Sequence, residues 1–97
     1  MRFEIILAPD AAAGMKRLDA RIRSEVRDQV ERQLRHRPSK VSKSRIKRLR
    51  GLRQPQYRLR VGEVRVFYDI VGEEVHVLAI VEKSKTYRWL DELGVPE

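Results

Sequence analysis

Three arginines, Arg58, Arg60 and Arg65, fall within the stretch YRLRVGEVRVFY at a spacing that can gather them on one face. If Gly62 and Glu63 form a two-residue hairpin loop, with glycine first as a type II′ turn prefers, Val61 faces Val64 and Arg60 faces Arg65 across the ladder. Arg58, two residues before Arg60, shares that face. Like charges directly opposite each other destabilise a sheet, by something comparable to the ~0.2–1 kcal/mol that a good cross-strand pair contributes. A face that accepts this repulsion has a chemistry to match, because guanidinium groups are permanently charged forks suited to phosphate oxygens.

The elements that position these arginines follow from the surrounding pattern. Tyr57–Val61, Val64–Val71 and Glu74–Val81 are strand-like runs separated by Gly62-Glu63 and Gly72-Glu73, both suitable tight turns. With both loops two residues long, Leu59, Val61, Val64, Val66, Tyr68, Ile70, Val75, Val77, Ala79 and Val81 share one face, which is the expected core. The other face collects Arg58, Arg60, Arg65, Phe67, Asp69, His76, Leu78 and Ile80, with few helices left to cover it. Cations grouped beside an aromatic side chain can hold phosphates and support bases.

Upstream, Arg2–Leu7 has the character of a first strand, and Pro9 ends it and opens a helix. Ala11, Met15, Leu18, Ile22, Val26, Val30 and Leu34 then recur at three- or four-residue steps. Unbroken, this helix would be about 40 Å long, so a break is expected near Asp19, a good N-cap, giving a helical hairpin. Residues 38–56 show no sustained period and contain Pro38, Gly51 and Pro55, which predicts loop with one helical turn around Arg45–Leu49. Ser84 can cap a final helix through Leu93, with Gly94 and Pro96 as its stop. The predicted fold is α+β in the order βααβββα, a single domain over residues 1–97: an N-terminal strand, a helical hairpin, an antiparallel sheet of three further strands and a short C-terminal helix.

Composition narrows the partners. The chain has no cysteine, which excludes disulfides, thiol nucleophiles and cysteine metal ligands. No metal or other cofactor is expected. No apolar run approaches the roughly 18 residues of a membrane helix, and FEIILA lacks the flanks of a signal peptide, so a cytoplasmic location without membrane contact is expected. The net charge of +8 is concentrated: Arg32 to Arg60 holds twelve Lys or Arg and no acid. Charge alone suggests a polyanion or an acidic protein segment as partner. Lys40, Lys43, Arg45, Lys47, Arg48 and Arg50 are the candidate nucleic-acid contacts of this segment. His36 is placed at a helix end and His76 opposite Asp69, both ordinary structural positions, and Trp89 with Leu93 four residues on suits a packing anchor.

The run Lys47-Arg48-Leu49-Arg50-Gly51-Leu52, then Tyr57-Arg58-Leu59-Arg60, then Val64-Arg65-Val66-Phe67-Tyr68 and a late Tyr87, in the order βααβββα, resembles the RelE/ParE superfamily of bacterial and archaeal toxins. RelE-type members are ribosome-dependent mRNA endonucleases held in check by an antitoxin. The resemblance therefore implies a metal-independent endoribonuclease that inhibits translation, with an acidic antitoxin, the ribosome and mRNA as partners. Carried over by position, it implies a site of Arg58, Arg60 and Arg65, a late basic residue that is Lys83 or Lys85, and Tyr87. A substrate phosphate between Arg60 and Arg65 would relieve their repulsion.

Cleavage by the RNA 2′-hydroxyl attacking its neighbouring phosphate needs that hydroxyl deprotonated, the phosphorane's charge stabilised and the departing 5′-oxygen protonated. Arginines serve the second need. Tyr87 can serve the first where neighbouring cations favour its phenolate, or can stack on a base. The chain departs from the best-known RelE-type pattern in carrying Arg58 and Arg60 in place of lysines, and arginine is a poor proton donor. That departure keeps two alternatives open: a ParE-like toxin directed at DNA gyrase, and a catalytically silent RNA-binding protein.

Overall fold

The computed structural model describes Met1–Glu97. A strand β1 (Glu4–Leu7) is followed by helices α1 (Pro9–Arg17) and α2 (Ala20–Leu34), then by short strands β2 (Ile46–Arg48) and β3 (Leu52–Gln54). Next come the long strands β4 (Tyr57–Val61), β5 (Val64–Val71) and β6 (Glu74–Glu82), a single 3-10 turn over Lys83–Lys85, helix α3 (Thr86–Leu93) and a two-residue strand β7 (Val95–Pro96). The main sheet has the order β1-β6-β5-β4-β2, with β1 parallel to β6 and the other neighbours antiparallel; β3 and β7 pair separately. The expected α+β architecture is present.

The helical break falls where the sequence places it. Asp19 is the N-cap of α2, its Oδ1 accepting from the Ile22 N–H at 3.0 Å. Arg23 then ties the two helices, donating from Nε to the Met15 carbonyl at 3.0 Å and from Nη2 to that of Leu18 at 2.7 Å. Both carbonyls lie at the end of α1, where intrahelical donors run out, and that of Met15 also accepts from the Leu18 N–H at 3.2 Å. Gly14 lets α1 lie directly on β6, since a Cβ there would run into the Ile80 carbonyl. The core between helices and sheet holds Val26, Val30 and Leu34 against Leu59, Val66, Tyr68 and Val77. Tyr57 and Tyr68 stack on this face at 5.4 Å, and the Tyr68 hydroxyl donates to the Pro38 carbonyl at 2.6 Å, pinning the basic loop where α2 ends.

Three expectations are corrected. First, Leu78 is an extra residue in β6: Tyr68 pairs with Val77 but Phe67 with Ala79. The bulge turns Ile80 into the core, while Ala79 and Val81 go to the opposite face beside Phe67 and Arg65. Second, the helical turn expected around Arg45–Leu49 is strand β2, paired to β4. Third, Ser84 does not cap α3; it lies within the preceding 3-10 turn, and Thr86 opens the helix without a side-chain cap.

Candidate nucleic-acid interface and active site

The β4–β5 hairpin has the predicted register, with Arg60 opposite Arg65 and Arg58 opposite Phe67. Gly62 has φ +56° and Glu63 does not share the positive φ, as a type II′ loop requires. Arg65 is 6% exposed and folds back on this loop, donating from Nη1 to the Gly62 carbonyl at 2.7 Å and the Val64 carbonyl at 3.0 Å. Two main-chain dipoles thus offset part of the repulsion. Arg60 stays exposed.

The face behind these arginines is covered, not open. Trp89 of α3 stacks on Phe67 at 5.1 Å with the rings 5° apart, and Phe67 is fully buried, so it supports the helix and is unavailable to a base. Trp89 is the packing anchor its spacing suggests. Between α3 and the sheet lies a cavity of about 290 Å³, near the small end for ligand pockets. Arg58, Arg65 and Lys83 supply its charge, and Thr86 and Tyr87 its hydroxyls. Leu49, Phe67 and Leu90 complete the wall. No carboxylate lines it.

Each part is held by a different element. The Lys83 N–H donates to the Glu63 carbonyl at 2.7 Å, so the hairpin loop fixes the start of the 3-10 turn beside Arg65. Lys85 does not line the cavity; of the two late lysines, the fold brings Lys83 to the arginines. Tyr87 is 88% exposed, at the cavity mouth. Burial, then the charges of Arg65 and Arg60, push the Arg58 guanidinium below its ordinary range. Burial and then Arg60 lower Arg65, with Glu63 opposing. Both stay cationic at neutral pH, since arginine is not deprotonated in proteins. The Arg58 Nε and the Thr86 Oγ1 are buried without a hydrogen-bond partner.

Strand β2 adds cations that composition alone could not align. Lys47 lies directly opposite Arg58, adding a cation from β2 beside the arginines of β4 and β5. Arg48 sits over the Tyr57 ring at 5.0 Å. Lys40 and Arg45 line a second, larger cleft of about 660 Å³ at the end of α2, with Arg32, His36 and Arg37. Lys43 and Arg50 are exposed outside both concavities. The two histidines are not brought together in either: His36 lines the basic cleft and the His76 Nε2 is 2.9 Å from Glu74. Thr86 was missed by sequence reasoning, because a threonine at a helix start signals only local propensity; no residue type marks a hydroxyl left unpaired by packing.

This arrangement of fold and cations coincides with a family match. Residues 5–87 match the model of the ParE toxin of type II toxin-antitoxin systems, parDE, and the chain belongs to that family, within the RelE/ParE superfamily of toxins. Among solved structures, the RelBE2 toxin-antitoxin complex from Mycobacterium tuberculosis aligns at 21% identity and TM-score 0.66, over 84% of this chain and 99% of that one. The RelB-RelE complex from Methanococcus jannaschii aligns at 18% and 0.65, over 87% and 96%. A free mutant form of E. coli RelE aligns at 17% and 0.69, over 95% and 94%. At these identities the likeness is one of fold. No curated protein sequence matches the chain.

Proposed function

We propose that this toxin is a ribosome-dependent mRNA endonuclease that works in the cytoplasm, with the cavity under α3 as its active site. The observation that carries the reading is the convergence of Arg58, Arg65, Lys83 and Tyr87 on one cavity without a carboxylate. A phosphodiester there meets two guanidinium groups from rigid strands, which suits stabilisation of the phosphorane's charge. Because Arg60 does not line the cavity, the scissile phosphate is assigned to Arg58 and Arg65, with Arg60 and Lys47 along its approach. In this reading Tyr87 takes the 2′-hydroxyl proton or stacks on a base, and the Lys83 ammonium protonates the departing 5′-oxygen. Cell-free translation followed by primer extension on the mRNA tests this: cleavage within the translated frame is expected, and arrest without cleavage would overturn it.

A second reading, a gyrase-directed toxin, is favoured by one observation: the matching family model carries the parDE description. Growth arrest with intact mRNA and trapped gyrase would select it. Under either reading the partner is an antitoxin protein, as in the toxin-antitoxin complexes that share the fold, and this chain's basic segment suits one with excess Asp and Glu. An apolar groove of about 420 Å³, walled by Ile5, Leu7, Met15 and Val30 and rimmed by Arg23 and Arg27, suits a partner segment of that composition. Complex formation should weaken with salt. Equal affinity at low and high ionic strength would remove the electrostatic part.

A further inference from the structure

The cavity's unpaired atoms carry the inference. Only two buried side-chain polar atoms in the chain lack a hydrogen-bond partner, the Arg58 Nε and the Thr86 Oγ1, and both residues line the same cavity. Buried polar groups in folded proteins are nearly always paired, so two exceptions in one place ask for a missing partner. A threonine in a helix usually turns its hydroxyl back to a carbonyl of the preceding turn. Thr86 does not.

The missing partner must be an acceptor. A guanidinium Nε–H can only donate, and the lining offers no carboxylate to receive it. Both atoms are closed to solvent in the free chain, so the first turn of α3 has to ease outward to seat one oxyanion that accepts from Arg58 and from the Thr86 hydroxyl together, its remaining oxygens facing Arg65 and Lys83. We propose that Thr86 is a substrate-contacting residue whose hydroxyl donates to a phosphate oxygen seated against the Arg58 Nε. The inference rests on the cavity as the RNA phosphate site, and it adds a fifth residue, one without charge, to the four already placed there.

The test uses the full chain and its Thr86→Val and Thr86→Ser variants. Valine keeps the branched shape and removes the hydroxyl, while serine keeps the hydroxyl. Each is titrated by NMR with a trinucleotide RNA made uncleavable by a central 2′-deoxy substitution, and separately with inorganic phosphate; melting temperature is measured without ligand. Thr86→Val is expected to bind the trinucleotide about tenfold more weakly, the scale of one hydrogen bond to a charged group. Its melting temperature should be equal to or above wild type, because an unpaired buried hydroxyl has been removed. Thr86→Ser should bind like wild type.

If wild type binds and Thr86→Val binds equally well, Thr86 is not a contact and the cavity reading survives. A lowered melting temperature of the free Thr86→Val protein would assign the hydroxyl a structural partner and overturn the proposal. Inorganic phosphate binding as tightly as the trinucleotide would make the seat a free-anion site and not a substrate contact. Absence of any shift at Arg58 and Thr86 in the wild type would overturn the cavity reading and this inference together.

Discussion

Two of the basic concavities on this molecule differ in kind, and the larger is the simpler. The cleft at the end of α2 is lined by Arg32, His36, Arg37, Lys40 and Arg45, all exposed, with a loop forming one wall. The cavity under α3 has less than half that volume, and its cations come from strands and a fixed turn. Arg65 there is buried and already bonded to two carbonyls, and Arg58 holds a buried donor with nothing to donate to. Exposed cations keep their water and interact with phosphates through a screened field. Preorganised, half-dry cations have already lost that water, so they act strongly on charge that develops beside them. On the nuclease reading proposed above, that difference would put affinity in the cleft and rate in the cavity.

The largest expected effect tests the cavity side. Arg58→Met keeps the apolar stem and removes the guanidinium, which has Lys47 opposite it and Arg60 and Arg65 nearby. Cleavage should fall a hundredfold or more, as for loss of a transition-state donor worth ~3 kcal/mol. Melting temperature should hold or rise, because like-charge repulsion is relieved. Arg65→Ala is a less clean probe: it abandons two carbonyl contacts, so stability and activity should fall together. Full cleavage by Arg58→Met would end the assignment of rate to this cavity.

Tyr87→Phe comes next. The ring remains and only the hydroxyl goes, which separates proton transfer from stacking. A loss of about a hundredfold, the lower end for a positioned acid or base, marks Tyr87 as a proton acceptor. Unchanged cleavage leaves stacking as its role.

On the cleft side, Lys40→Ala with Arg45→Ala should weaken ribosome binding and reduce its salt slope by about one unit per lost phosphate contact. Cleavage at saturating ribosome should not change. Lys43→Ala, outside the cleft, serves as the comparison. If it flattens the slope as much as Lys40→Ala, the contacts belong to a diffuse cloud of charge and the cleft has no special standing.

What the sequence could show divides along the range of the forces involved. The hairpin register was legible because Gly62-Glu63 fixes it locally, and the break at Asp19 because a cap and a helical stripe meet there. The Leu78 bulge was not, since one extra residue in an apolar run leaves the composition of the strand unchanged. Nor was β2: Ile46-Lys47-Arg48 is too short to show alternation, and only pairing with β4 makes it a strand. The cavity itself depends on Trp89 settling on Phe67, a contact between residues far apart in the chain. The arginines were therefore visible as a cluster, while the roof over them, and with it Thr86, was not.

The smallest effect concerns a cation that does have its carboxylate, and it calibrates the cavity by contrast. Arg35 donates from Nη2 and Nε to Glu31, four residues back on α2, and from Nη1 to the Phe3 carbonyl at 2.9 Å, while the Phe3 N–H donates to the Arg35 carbonyl at 2.7 Å. The hydrogen bond from Arg35 is the main cause holding the Glu31 carboxyl below its ordinary range; slight burial opposes it, and the charges of Arg35 and Arg2 assist. A carboxyl whose folded pKa is lowered binds fewer protons folded than unfolded. Its contribution is therefore present above the ordinary carboxylate range and disappears as pH falls through the lowered value. Glu31→Gln should thus melt on the order of 1–2 °C lower than wild type at neutral pH, the small effect expected of an exposed pair, and the gap should close in acid. Melting curves from neutral pH down to about pH 3 measure both limits. Parallel curves over the whole range would mean that the pair adds nothing through charge, leaving Phe3 to fasten the first strand to α2 by its main chain alone.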